Sequence, residues 1–152
     1  MTWLEIKGAT QADIPRPIEI RHAAFSKHAP TAYSAQEVET LLGDVDEREL
    51  AEMIKNHQLF VARKENRVVG LAGWAGARLR HVYVSPTQGR QGIATKLLGH
   101  AERDFQERTH AKEIKAGVAL HAEPFYASNG YEVVGREEAW DGSEYLEMVK
   151  RF

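Results

Sequence analysis

The sequence predicts a mixed α/β (α+β) fold, a central mixed sheet flanked by helices, in a single domain over residues 1–152. Three observations predict it. The chain's 152 residues suffice for one sizeable hydrophobic core. Its elements read in the order βααα–βββ–α–β–α–ββ, which packs helices on the faces of a mixed sheet. The third is the run Leu79–Leu98, in which the apolar strand Val82-Tyr83-Val84 passes Pro86 into a glycine-containing loop, Gly89-Arg90-Gln91-Gly92. Ile93, Leu97 and Leu98 then recur at helical spacing.

Taken in order, Leu4–Lys7 reads as a short first strand. Asp13–His28 reads as a helix whose first turn holds Pro15 and Pro17, where proline is tolerated, and Pro30 ends it. Ser34-Ala35-Gln36-Glu37 is a capping box, so Ser34 starts a second helix through Leu42. Asp46–Asn56 reads as a third, with Leu50, Met53 and Ile54 on one face. Leu59–Arg63 and Val68–Trp74 are strands joined by the polar turn Lys64-Glu65-Asn66-Arg67. Leu79–Val84 follows as a strand, Gly92–Glu107 as a helix and Ile114–Leu120 as a strand. A short helix at Phe125-Tyr126, a strand Tyr131–Glu138, a turn at Asp141-Gly142 and a strand holding Tyr145 and Met148 close the chain. No internal repeat, low-complexity tract or linker interrupts it.

Composition excludes several classes. Apolar residues are 43% and charged residues 28%, with a formal charge of −2, so no basic stripe marks a nucleic-acid footprint. The absence of cysteine excludes disulfides, thiolate metal sites and a cysteine nucleophile. The segment MTWLEIKGAT lacks the pattern of a signal peptide, and Val68–Ala77 is too short and glycine-rich to span a bilayer, so a cytoplasmic protein is expected. Histidines are too scattered for metal-ligand spacing, and no metal is expected. The acids of Asp44–Glu52 read as a solvated helix face.

A strand feeding a glycine-rich turn that opens a helix suits an anion. The first helical N–H groups lack internal partners, the helix dipole adds partial positive charge, and Arg90 adds a full one. The dinucleotide and P-loop fingerprints are both missing, and so is the G-x-S-x-G elbow of a hydrolase. What remains is G-x-x-G-x-A, Gly89 through Gly92 to Ala94; its plain alternative is an ordinary helix start after a turn.

This run resembles the pyrophosphate loop [QR]-x-x-G-x-[GA] of the GCN5-related N-acetyltransferase (GNAT) superfamily, with Gly89 standing where the family usually has Gln or Arg. A second segment, His121-Ala122-Glu123-Pro124-Phe125-Tyr126 followed by Asn129-Gly130-Tyr131, resembles the family's N-A-x-x-F-Y-x-x-x-G-[FY] element. Together the two cover roughly half the chain, in the family's order. The resemblance implies a GNAT-like acyl-CoA N-acyltransferase fold with a mostly antiparallel mixed sheet. It also implies transfer of acetyl from acetyl-CoA to an amine of a small molecule or peptide, leaving coenzyme A.

The implied chemistry needs an oxyanion donor, a proton for the thiolate and an unprotonated amine. By the resemblance the backbone N–H of Val82 faces the oxyanion, and Val82 and Val84 hold the pantetheine arm as an added strand would be held. Gly89, Arg90, Gln91, Gly92, Ile93, Ala94 and Thr95 hold the diphosphate. Tyr126 is the general acid, its plain alternative being a tyrosine that anchors a short helix. His121 stands where the family has an asparagine on the pantetheine arm. The family positions for a strand base carry Arg80 and Arg78, and guanidinium cannot accept a proton. The base is then a water chain, His22, His28 or Glu5. Arg78 and Arg80 share a face by alternation and are expected to bind a carboxylate or phosphate of the acceptor, or else to make surface ion pairs. Alternation turns His81 to the opposite face as a structural histidine. Tyr33, Trp74 and Trp140 line the acceptor pocket or belong to the core. A non-catalytic acyl-CoA-binding or regulatory domain is the competing reading. Neither membrane nor nucleic acid is an expected partner; a homodimer stays open, since no heptad or exposed strand identifies an interface.

Overall fold

The computed structural model describes residues 4–42, 47–88 and 92–152, and these form a seven-stranded sheet in the order β1-β2-β3-β4-β5-β7-β6. The strands are β1 (Leu4–Gly8), β2 (Leu59–Lys64), β3 (Arg67–Ala75), β4 (Arg78–Val84), β5 (Glu113–Ala119), β6 (Glu132–Glu138) and β7 (Glu144–Arg151). Every neighbouring pair is antiparallel except β4 and β5. The helices are α1 (Pro15–His28), α2 (Ala35–Leu42), α3 (Glu47–Lys55), α4 (Ile93–Thr109) and α5 (Glu123–Ser128). This is the mixed, mostly antiparallel architecture expected from the sequence, and the element order matches throughout.

Local chemistry sets the boundaries. Ser34 Oγ accepts from the Glu37 amide at 3.2 Å while the Ser34 amide donates to Glu37 Oε1 at 3.0 Å, so the capping box starts α2 as expected. The first helix begins later than Asp13: Gln11–Asp13 forms a single 3-10 turn and Pro15 opens α1. Glu65 and Asn66 both take positive φ, the backbone of a two-residue hairpin that matches strand twist, and join β2 to β3.

Alternation along the strands divides the core between the faces. Phe60 and Ala62 pack with Ile93, Leu97, Leu98, Ala101 and Phe105 of α4; Leu59 and Val61 pack with Ile20 of α1 and Leu50, Met53 and Ile54 of α3. A third cluster, Phe25, Ala29, Tyr33 and Val38, packs against Tyr83, Ala119 and Leu120 and ties α1 and α2 to the ends of β4 and β5. Trp74, a candidate pocket residue, belongs to the α4 face. Its ring meets Phe105 edge-on and its indole N–H donates to Asp104 at 2.8 Å. Trp140 is 84% exposed at the β6–β7 turn.

Candidate active site

The one parallel pairing in the sheet is also its shortest. β4 and β5 are in register only at Arg78 with Lys115 and Leu79 with Ala116; beyond them the strands diverge. β5 goes on pairing with β7 through Ala119, so its far edge is satisfied while the edge facing β4 is not. Divergence coincides with a bulge in β4. Leu71 pairs with Tyr83 and Gly73 with Arg80, so His81 and Val82 together oppose Ala72. The bulge is made by His81, a non-glycine residue at φ +60°. Backbone groups of Val82 and Val84 on the β5 side are thereby left without a strand partner.

Beyond β4 the chain passes a 3-10 turn, Pro86–Gln88, before α4 begins. Gly92 caps this 17-residue helix at φ +73°, with no side-chain cap. The first amide to bond within the helix is that of Lys96, which donates to the Gly92 carbonyl at 3.1 Å. The amides of Ile93, Ala94 and Thr95 thus precede the helical ladder, at the positive end of the helix dipole. Gly89, Arg90 and Gln91 lie outside the described residues.

On the β5 side the short helix α5 carries Tyr126. Its ring meets Phe125 and Tyr131 edge-on at 5.2 and 5.4 Å. Burial, with the neighbouring Tyr83 of β4 second, pushes the phenol above its usual value, so the hydroxyl stays protonated at neutral pH. Tyr131 is instead structural: its hydroxyl donates to buried Glu102 at 2.7 Å, and Lys150 meets the other carboxylate oxygen at 3.0 Å. His121 sits one residue beyond Leu120, edge-on to Phe25 and Tyr33, with Nδ1 buried and without a partner among the described residues. Burial and nearby His28 lower its basicity. Tyr33 is no exposed pocket wall. It is 6% exposed, its hydroxyl donates to the Glu144 carbonyl and it accepts the Leu120 amide at 2.9 Å.

The two arginines of β4 both meet carboxylates of the protein itself. Arg78 forms a two-pronged bond to Glu147 of β7, at 2.9 and 2.6 Å. Arg80 Nη2 lies 2.6 Å from Glu49 Oε1 on α3, and His81 Nε2 lies 3.3 Å from the same oxygen. Alternation therefore fails at His81. The bulge removes one step of the two-residue period, so His81 and Arg80 converge on one carboxylate instead of facing opposite ways. Reading the acids of α3 as a solvated face fails for Glu49 too, whose carboxyl is only 26% exposed. Contact with His81 foremost, then Arg80 and Arg21, holds that carboxyl below its usual range against the opposing effect of burial. Arg21 of α1 donates to the Leu41 and Leu42 carbonyls and stacks over Tyr83 at 5.7 Å. Among the base candidates, Glu5 stands on β1, three strands from β4. His22 lines an open cavity of about 630 Å³ between α1 and α2, with Arg21 at its edge.

The family model for the acetyltransferase (GNAT) domain matches residues 30–152. The chain belongs to the GNAT family. No curated protein shows significant sequence similarity to it. Solved structures share its fold. A GCN5-related N-acetyltransferase from Rhodopseudomonas palustris superposes with a TM-score of 0.88 at 21% identity, over 97% of this chain and 95% of that one. The PaiA N-acetyltransferase of Thermoplasma acidophilum, solved with coenzyme A, gives 0.77 at 21% identity, over 99% of each chain. Rv2747 of Mycobacterium tuberculosis, solved with CoA and NLQ, gives 0.70 at 12% identity, over 97% and 99%.

In this GNAT chain Val82 and Val84 stand where β4 has left β5, His121 and Tyr126 follow the end of β5, and the described amides of Ile93, Ala94 and Thr95 open α4 after β4. Glu49 was missed by sequence reasoning although a signal existed. It stands one residue before Leu50 and four before Met53, on the stripe that α3 turns inward. The bulge at His81 carries no such signal, since no glycine or proline marks it.

Proposed function

We propose that this chain is an acetyl-CoA-dependent N-acetyltransferase acting on an amine of a small molecule or peptide, within a single catalytic domain in the cytoplasm. The observation that carries the reading is the divergence of β4 from β5 beyond Leu79 and Ala116, with the glycine-capped start of α4 the next helix in the chain. An extended pantetheine arm fits that edge, and a diphosphate fits the amides of Ile93, Ala94 and Thr95 together with Gly89, Arg90, Gln91 and Gly92. Bound there, acetyl-CoA supplies an activated acyl carbon and a thiol leaving group. Val82 N–H donates to the oxygen on which negative charge develops. Tyr126, kept protonated by burial, donates its O–H to the departing sulfur. The unpartnered Nδ1 of His121 has the polarity to meet an amide of the pantetheine arm, whichever tautomer it holds.

Arg80 engages Glu49 through one terminal nitrogen, and its other donors face an acceptor carboxylate or phosphate in this reading; Arg78, already gripped from two sides by Glu147, is the weaker partner. The test is thiol release from acetyl-CoA with the twenty amino acids, spermidine and a lysine tripeptide. Turnover with any of these supports the enzyme. Coenzyme A binding without turnover points to the non-catalytic acyl-CoA-binding or regulatory domain.

A further inference from the structure

The bulge holds a side chain that the mechanism above leaves unused. His81 adopts φ +60°, a conformation that strains a non-glycine residue. A bulge serving only to bend β4 would take glycine there without strain. Instead an imidazole is retained, its side chain only 6% exposed, with Nε2 3.3 Å from Glu49 Oε1 and off the line of a full hydrogen bond. The next residue is Val82, so the imidazole and the oxyanion donor are consecutive in the chain. The charged and titratable groups facing this cluster are Glu49 from α3, Arg21 from α1, and Arg80 and Tyr83 from β4 itself.

Building on the acetyl-transfer reading, we propose that His81, positioned by Glu49, is the proton acceptor for the incoming amine. The arginines hold no lone pair to offer. Glu49, ringed by cations, is a weak base. Its Oε1, 3.3 Å from Nε2, favours the tautomer that carries its proton there, which leaves the Nδ1 lone pair of the imidazole as the acceptor. The ammonium of the acceptor gives one proton to Nδ1, directly or through one water. The freed nitrogen pair forms the C–N bond to the thioester carbon, the C–S bond breaks, and the sulfur leaves with its electron pair. The second amine proton and the imidazolium proton pass to solvent as the sulfur takes the proton of Tyr126, which is replenished in turn. The products are the amide, the free thiol and one net proton.

The experiment compares two nucleophiles: the fastest amine of the panel above, and hydroxylamine, already unprotonated at neutral pH. His81→Asn suits the left-handed backbone. It is expected to lower kcat/KM for the amine at pH 7 by about 10²-fold or more and to leave hydroxylamine turnover within about threefold. His81→Gly, which relieves the backbone strain, is expected to regain amine turnover when free imidazole is added. Glu49→Gln is expected to lower kcat/KM for the amine while leaving hydroxylamine turnover within about threefold. Equal losses with both nucleophiles, or amine turnover within about threefold of the parent, would overturn the role of His81. Failure of the unaltered protein to bind coenzyme A, or to turn over any panel amine, would instead overturn the acetyl-transfer reading and the base with it.

Discussion

Replacing Tyr33 by Phe removes one oxygen from the joint between the N-terminal helices and the diverging strands. The ring itself stays, stacked with Phe25 at 6.4 Å, so packing is held constant. What is lost is a donor to the Glu144 carbonyl and an acceptor for the Leu120 amide, both main-chain groups drawn from the ends of β7 and β5. Orphaning a buried polar group costs about 1–3 kcal/mol. Glu144 and Leu120 are only half-buried, so water relieves part of the loss and the low end of the range applies to each. The expected destabilisation is about 2–3 kcal/mol in all, which for a chain of this length lowers Tm by roughly 5–10 °C. Urea denaturation followed by circular dichroism measures it directly. The KM for acetyl-CoA should rise as well, because Leu120 precedes His121 at the gap. A loss below about 0.5 kcal/mol would show that the hydroxyl does not join the two halves of the site.

Four further outcomes are expected. Tyr126→Phe should lower kcat by about 10²-fold and leave the Kd for coenzyme A unchanged; full turnover would remove the phenol from the reaction. Gly92→Ala meets no atom of the described residues within 4 Å, so its cost is conformational, about 1–2 kcal/mol, readable by thermal melting alongside weaker coenzyme A binding. Because burial lowers the basicity of His121 in the folded state, the unfolded chain takes up that proton first, from about pH 6.5 downward. Stability contributed by this group is whole above pH 6.5 and falls as pH drops through its depressed folded value, so His121→Asn should flatten the loss of stability between pH 7 and 5; identical acid slopes would contradict this. Arg80→Ala should raise the acceptor KM by about tenfold or more, the worth of one hydrogen bond to a charged group, and an unchanged KM would take Arg80 out of acceptor binding.

The architecture was legible because it is written in local signals. The Ser34–Glu37 box, the paired prolines of α1 and the alternating strands each state their own structure within a few residues. The candidate site was easiest to nominate where its parts are main-chain atoms placed by such elements, as with the amides that start α4. What escaped are contacts across long stretches of chain. Arg78 finds Glu147 69 residues away, and Arg80 and His81 find Glu49 on a helix packed over the sheet. The bulge defeated alternation for a related reason. It coincides with the divergence of β4 from β5, and no glycine or proline in the local sequence around His81 announces it.

The account stands most directly on where coenzyme A settles. A crystal structure of the complex should show the pantetheine arm main-chain bonded to Val82 and Val84 between β4 and β5, with the diphosphate on the amides of Ile93 and Ala94. Coenzyme A seated anywhere else, with that gap left to solvent, would contradict it.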